Sequence, residues 1–167
     1  MKDQAFRKAA IGAAALAFLL FLFHSMAANG PETKVGWFVA PGASAEAIDE
    51  SKIVISGTGT FFIGEREEVT GGGDWTTIDK DGATTGSGTF EVTGLVRFDQ
   101  GQPFPPTGLA FLRIKYSDGS SGILVVGCRT FIGGLRTPSS VTEGITASKG
   151  FTLYWNVTES GTFFSLP

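Results

Sequence analysis

From Lys52 onward the sequence is a succession of short runs rich in β-branched and aromatic residues, separated by Gly and Asp turns. Residues 88–99 alternate with a period of two, which is the pattern of a strand with one buried face. The runs 109–116 and 122–129 flank Ser117-Asp118-Gly119-Ser120 and predict a hairpin. Because no segment of this region shows helical periodicity, the sequence predicts an all-β domain.

About eight antiparallel strands joined by short turns favour a barrel, because closure removes the exposed edges of a sheet. A sandwich of two sheets is the alternative. In the run 88–99 the alternation places Phe90, Val92, Val96 and Phe98 on one face. The predicted strands are residues 52–62, 75–78, 88–99, 109–116, 122–129, 141–147, 151–157 and 161–165.

Glycine and proline clusters predict the breaks between these strands. Gly71-Gly72-Gly73-Asp74 predicts a tight turn before Trp75, and Asp79-Lys80-Asp81-Gly82 predicts the next one. Residues 28–51 are predicted to be a linker, since Asn29-Gly30-Pro31 and Pro41-Gly42 are turn signals. The β-domain is therefore assigned to residues 52–167.

The first 27 residues have the layout of a secretory signal. Lys2, Arg7 and Lys8 precede an uncharged stretch whose most apolar part is residues 11–23, and Ser25-Met26-Ala27 fits a cleavage site. An apolar core of thirteen residues favours a cleaved signal, because a membrane span needs about 20. A retained anchor is the alternative. The β-domain is expected to be secreted or extracytoplasmic in the first case, and held outside the cytoplasm by a single span in the second.

The composition excludes several classes of function. The only histidine, His24, lies in the predicted signal, so the β-domain has neither a histidine-dependent nucleophile nor a histidine-based metal site. No catalytic residue, metal ligand or cofactor is assigned. Removing Lys2, Arg7 and Lys8 from 13 basic residues, and Asp3 from 16 acidic ones, leaves a net charge of −5. An acidic domain without a basic run argues against nucleic acid as a partner.

Aromatic residues at alternate strand positions are candidates to line a ligand cavity, because a barrel of eight strands can hold one small apolar molecule. Core filling is their alternative role. Arg113, between apolar neighbours, is a candidate anchor for a ligand carboxylate, with a structural ion pair as the alternative. The candidate lining residues are Phe90, Phe98, Leu112, Tyr116 and Trp155.

Three segments of the second half carry a resemblance to known proteins: residues 116–120 (Tyr-Ser-Asp-Gly-Ser), 122–126 (Gly-Ile-Leu-Val-Val) and 143–150 (Glu-Gly-Ile-Thr-Ala-Ser-Lys-Gly). Residues 88–164 resemble exported β-barrel proteins of uncharacterised function. The architecture is similar to the small lipophile-handling barrels of the allene oxide cyclase and dirigent type. This resemblance implies a barrel fold, and it transfers no functional residue to this chain.

Three functional hypotheses follow. The first is an exported, non-enzymatic barrel that binds a small apolar molecule, a protein partner or another copy of itself. The second is a cyclase or isomerase that positions a lipophile in a dry pocket, with Glu91, Arg113, Tyr116 and Cys128 as candidate residues. The third is an anchored structural or accessory subunit of an envelope complex, indicated by the strand 122–128, which is apolar on both faces.

Overall fold

The computed structural model describes residues 32–64, 68–101, 107–129, 142–157, 159 and 161–166. All of them belong to the unit Glu32–Pro167, and the predicted signal or anchor lies outside the described residues. These ranges contain no helix long and apolar enough to span a membrane. The described strands are β1 (Thr33–Glu46), β2 (Lys52–Ile63), β3 (Val69–Ile78), β4 (Thr84–Gln100), β5 (Gly108–Tyr116), β6 (Ser121–Cys128), β7 (Gly144–Lys149), β8 (Thr152–Asn156) and β9 (Thr162–Ser165).

Strands β1 to β8 form a ring in which each strand pairs antiparallel with the next, and β8 pairs with β1. The short strand β9 pairs with the first half of β1, where Phe38 lies opposite Phe163, while β8 pairs with its last residues, where Glu46 lies opposite Trp155. One side of β1 is therefore covered by β2, and the other by β9 and β8 in succession. The all-β prediction and the hairpin of β5 and β6 are confirmed.

The antiparallel order defines two ends of the ring. The short turns 47–51, 79–83, 117–120 and 150–151 lie at one end, here called the turn end. The last residues of β2, β4, β6 and β8 are the strand termini of the opposite end, here called the loop end. Each strand of the ring therefore has one terminus at the turn end and the other at the loop end.

Alternate side chains of the strands point into the ring and fill it. Near the turn end, the ring centroid of Tyr116 lies 5.6 Å from that of Trp75 and 6.4 Å from that of Phe90. Near the loop end, Phe61 and Phe98 have their centroids 5.0 Å apart. Aliphatic side chains occupy the space between these two aromatic groups, among them Ile55, Leu112, Leu124 and Val126.

The prediction that residues 28–51 form a linker is wrong for most of this segment, because the segment contains β1. Val35, Trp37 and Val39 alternate into the core, and Ala43 and Ala45 continue the same face. Pro41-Gly42, which predicted a loop, lies in a bulge where the pairing with β2 shifts register between Val39 and Ala43. A proline and a glycine at a bulge interrupt a strand without ending it.

The predicted turn at residues 71–74 is also wrong, since these residues lie inside β3. Gly71, Gly72 and Gly73 pair with Gly59, Thr58 and Gly57 of β2, so two glycine-rich stretches lie side by side. The indole of Trp37 packs on this surface and its Nε1 donates a hydrogen bond to the carbonyl oxygen of Thr70, at 3.4 Å. The glycines are required by this close approach of backbone and indole.

Two bulges in β4 change the face of one predicted core residue. The register against β5 shifts between Val92 and Gly94 and again between Leu95 and Arg97. As a result Leu95 packs against the core, whereas Val96 is 45% exposed. Each bulge adds one residue to β4, so after both bulges the alternation of inward and outward side chains returns to its original phase. Phe98 is therefore packed on the core again.

Candidate functional site

The structure places the six predicted ligand-binding residues on two different faces. Phe90, Leu112 and Tyr116 are buried inside the ring, and Phe98 packs against the same core. Arg113 and Trp155 point outward; Trp155 is 59% exposed. The inward residues contact one another and their neighbours, so the six do not line a common site.

The residues considered for a cyclase or isomerase are likewise not brought together. Glu91 and Arg113 are exposed on the outer face, whereas Tyr116 and Cys128 are buried on the inner face. Cys128 lies opposite Gly108 at the loop end of β5, and Tyr116 is the last residue of that strand at the turn end. Eight residues of extended strand separate these two levels by about 26 Å.

The most unusual surface feature is a row of large apolar side chains on the outside of β8 and at the residues directly before and after it. Phe151, Leu153, Trp155 and Val157 occupy alternate positions and are all exposed, Phe151 completely. The intervening residue Tyr154 is buried in the ring, as the alternation of a strand requires. We refer to these four outward residues as the exposed ridge.

An open groove of about 370 Å³ lies on the outer face beside one residue of the exposed ridge, Trp155, which forms one wall. Leu109 and Phe111 of β5 form the opposite wall, and Val125 of β6 and Thr146 of β7 contribute to the surface between them. Gly127 and Gly144 also line the groove, and because they have no side chains the groove is open at these positions. The ridge and the groove together form an apolar surface on part of the outer face of β5 to β8.

The turn end of the ring is closed by a lysine that lies over aromatic rings. The Nζ atom of Lys149 is 4.3 Å from the ring centroid of Trp75 and 5.2 Å from that of Tyr116. It also forms an ion pair with Asp118 of the β5–β6 turn. This hydrogen bond from Lys149, together with those from the side chain and backbone of Ser120, lowers the pKa of the Asp118 carboxyl to about 2. Lys149 is therefore held in place by a cation–π contact and a carboxylate.

Sequence reasoning selected Trp155 but missed the other members of the exposed ridge. The signal was present, because residues 151–157 alternate between two sets, and the set Phe151, Leu153, Trp155, Val157 is the more apolar. A buried strand face is normally the more apolar one, so the pattern alone assigns this set to the core. The inner set, Thr152, Tyr154 and Asn156, points into the ring instead.

Within the described part of the chain, no group of three or more His, Cys, Asp and Glu residues is arranged to hold a metal ion. Cys128 is buried on the inner face of β6. The chemistry that the described surface offers is therefore that of apolar contact at the exposed ridge and of charge at the turn end. No family model, no curated protein and no solved structure matches this chain.

Proposed function

We propose that this protein is an exported, non-enzymatic β-barrel that binds a protein partner through the exposed ridge of β8. The observation that carries the proposal is the ridge itself, in which Phe151, Leu153, Trp155 and Val157 face away from the core. Contiguous exposed apolar surface of this kind marks an interaction site in soluble proteins. Trp and Phe are also enriched among the residues that contribute most to binding at interfaces.

The packing inside the ring supports an outer rather than an inner binding surface. Trp37, Phe61, Leu112 and Tyr116 are almost completely buried and fill the interior. A small molecule that entered between them would have to displace close-packed side chains, at a cost of a few kcal/mol. The groove between Phe111 and Trp155 needs no such rearrangement.

Substitution of Trp155 by Ser, written Trp155→Ser, tests this proposal. Truncation of a central interface tryptophan costs about 2 kcal/mol or more, which is roughly a thirtyfold loss of affinity. The full chain and the variant are expressed in the native host, and the proteins that co-purify at fixed stoichiometry are quantified. We expect the wild-type chain to retain a partner that the variant loses.

Val96→Ser is the matched control. Val96 is also an exposed apolar residue, but it lies on β4, which is opposite β8 in the ring of eight strands. We expect this variant to retain the partner. Loss of the partner from both variants, or from neither, would show that the exposed ridge is not the binding surface. Circular dichroism of both variants verifies that the fold is intact.

A small apolar ligand in the groove is a second candidate, favoured by the volume of about 370 Å³ and by Leu109, Phe111, Val125 and Trp155 in its lining. Ligand sites commonly have volumes of about 300–1,000 Å³. Native mass spectrometry of the chain from its host would reveal a constant added mass that Phe111→Ala removes. The same spectrum gives the N-terminal residue: a chain that begins at Ala28 supports a cleaved signal, and a full-length chain supports an anchor.

A further inference from the structure

We infer that the partner of the exposed ridge is a protein segment with an apolar centre flanked by Lys or Arg side chains. This inference rests on the function proposed above and adds the chemistry of the partner. It derives from the position of the ridge, which runs into the turn end of the ring, and from the charge of that end.

The exposed ridge and the β1–β2 turn are neighbours. Trp155 lies opposite Glu46 at the end of β1, where the turn 47–51 begins, and Leu153 and Phe151 follow Trp155 in the direction of the turn end. Ser51 and Asp49 of this turn lie close enough to Tyr154 to influence the pKa of its hydroxyl. Ile48, at the tip of the turn, is fully exposed and adds a further apolar side chain to the turn end.

The turn end carries an excess of negative charge. Its four turns and the single terminal residue of each adjoining strand contain three lysines, each of which already pairs with a carboxylate: Lys52 with Glu46, Lys80 with Asp81, and Lys149 with Asp118. The further carboxylates of Asp49, Glu50 and Asp79 give this end a net charge of −3. Hydrogen bonds from the side chain and backbone of Ser51 lower the pKa of Asp49, so this carboxylate is ionised at neutral pH.

A shallow site for one basic side chain lies within this acidic surface. A groove of about 280 Å³ between the β1–β2 and β3–β4 turns is lined by Glu46, Glu50 and Asp79, together with Lys52 and Lys80. A Lys or Arg head group entering it would face three carboxylates and the ammonium groups of Lys52 and Lys80, a net charge of −1. Ile48, at the tip of the same β1–β2 turn, projects into solvent. Apolar and acidic groups therefore alternate over a short distance at this end.

The negative charge of the turn end distinguishes between the possible binding partners of the exposed ridge. An anionic membrane surface and a second copy of this acidic chain both place negative charge against the turn end, and like charges across an interface disfavour association. A partner with basic flanks gains attraction at long range and pairs its cations with the turn-end carboxylates. Its apolar centre covers the ridge, which carries most of the contact energy.

The test uses two synthetic amphipathic helical peptides with the same leucine face, one with Lys and one with Glu on the polar face. Binding of each labelled peptide to the full chain is measured by fluorescence anisotropy at low and at high salt. We expect the Lys peptide to bind about tenfold tighter at low salt, and the difference to shrink at high salt as the charges are screened. Trp155→Ser should weaken this binding roughly thirtyfold or more, while Val96→Ser should preserve it.

Charge reversal at the turn end provides the decisive comparison. Glu50→Lys combined with Asp81→Lys changes the net charge of this end from −3 to +1. Both residues are exposed, and Asp79, which caps the β3–β4 turn by accepting hydrogen bonds from the Asp81 and Ala83 backbone, stays in place. We expect this double variant to prefer the Glu peptide.

Several results would overturn the inference. If both peptides bind equally and both require Trp155, the ridge remains a partner surface but the basic partner is wrong. If the Lys peptide binds Trp155→Ser as well as wild type, charge alone attracts it, and the inference fails. Failure of both peptides to bind also overturns it, while the co-purification experiment decides the proposed function separately. Trp155-dependent binding to anionic lipid vesicles would identify a membrane as the occupant instead.

Discussion

At the scale of single residues, the packing of β2 against β3 depends on glycines, which have no side chain. A Cβ atom on Gly59 would lie 2.7 Å from Nε1 of Trp37, and Cβ atoms on Gly59 and Gly73 would also clash with carbonyl oxygens of the facing strand. The glycine-rich stretches of β2 and β3 thus make room both for each other and for a buried indole. A run of three glycines in a sequence suggests a turn, but here Gly71, Gly72 and Gly73 belong to a strand, and the core tryptophan Trp37 packs on the surface that they leave open.

Gly73→Ala tests this argument. The added Cβ would clash with the backbone carbonyl of Ser56, which cannot move without breaking the β2–β3 pairing. We expect a loss of about 2–3 kcal/mol in the free energy of unfolding, measured by urea denaturation. Gly94→Ala is the control, because its nearest neighbour would be the Arg113 side chain at an ordinary 3.6 Å. Equal effects of the two variants would contradict the role assigned to close packing.

The two tyrosines of the chain predict how stability depends on alkaline pH. Burial is the main cause that raises the pKa of both Tyr116 and Tyr154 above the ordinary value near 10. A raised pKa in the folded state means that the stabilisation is complete below pH about 10 and is lost as the pH rises further. We expect tyrosinate absorbance to appear only together with unfolding, followed by circular dichroism. Tyrosinate that forms at pH about 10 in a chain still folded would contradict the burial of these hydroxyls.

At the scale of strands and turns, the sequence predicted those elements whose local chemistry agrees with their tertiary role. The β5–β6 hairpin and the Asp79–Gly82 turn are examples: Asp118 and Asp79 each accept backbone hydrogen bonds from residues two or more positions ahead. The prediction failed where a local signal had a different use. Pro41-Gly42 marks a bulge in β1, and the parity of Val96 depends on bulges that no local pattern encodes.

Closure of the ring beside β9 depends on one buried hydroxyl. Thr162 is completely buried, and its Oγ1 donates a hydrogen bond to the carbonyl oxygen of Gly127 and accepts one from the amide of Gly144, at 3.3 Å. A single side chain thus links β9 to β6 and β7. Nothing in the sequence distinguishes this threonine from the exposed ones, because its partners are 35 and 18 residues away.

Thr162→Val keeps the shape of this side chain and removes both hydrogen bonds. The Gly127 carbonyl and the Gly144 amide lose their partner, and we expect a loss of about 2–4 kcal/mol in the free energy of unfolding. Thr85→Val, at an exposed residue of β4, is the control and should change it by no more than about 0.5 kcal/mol. Equal denaturation midpoints for Thr162→Val and wild type would show that water or a shifted strand replaces the hydroxyl.

At the scale of the whole molecule, the sequence predicted the class of fold but not which face of each strand points inward. Strand alternation fixes only which residues share a face, and the choice of face depends on the curvature of the closed ring. Phe90, Phe98, Leu112 and Tyr116 share the inner face, whereas Arg113 and Trp155 belong to the outer surface. The exposed ridge follows from this inversion: β8 keeps its larger apolar side chains outside, a feature that core packing does not explain.

The last strand shows the same distinction in two adjacent phenylalanines. Phe164 points into the ring, and its centroid lies 6.1 Å from that of Phe61 on β2 and 5.4 Å from that of Phe98 on β4. Phe163 points outward, is half exposed and contacts Phe38 at a centroid distance of 6.2 Å. Since β9 has only four residues, Phe164 is the main apolar link between the C-terminal strand and distant parts of the ring.

Phe164→Ala and Phe163→Ala therefore form a matched pair at neighbouring positions. We expect Phe164→Ala to lower the free energy of unfolding by about 3–5 kcal/mol, because it leaves a cavity between Phe61 and Phe98. Phe163→Ala should lower it by less than about 1 kcal/mol. Urea denaturation measures both values. Similar losses for the two variants would mean that β9 does not insert Phe164 into the ring, and the inner and outer faces assigned to the C-terminal strand would have to be exchanged.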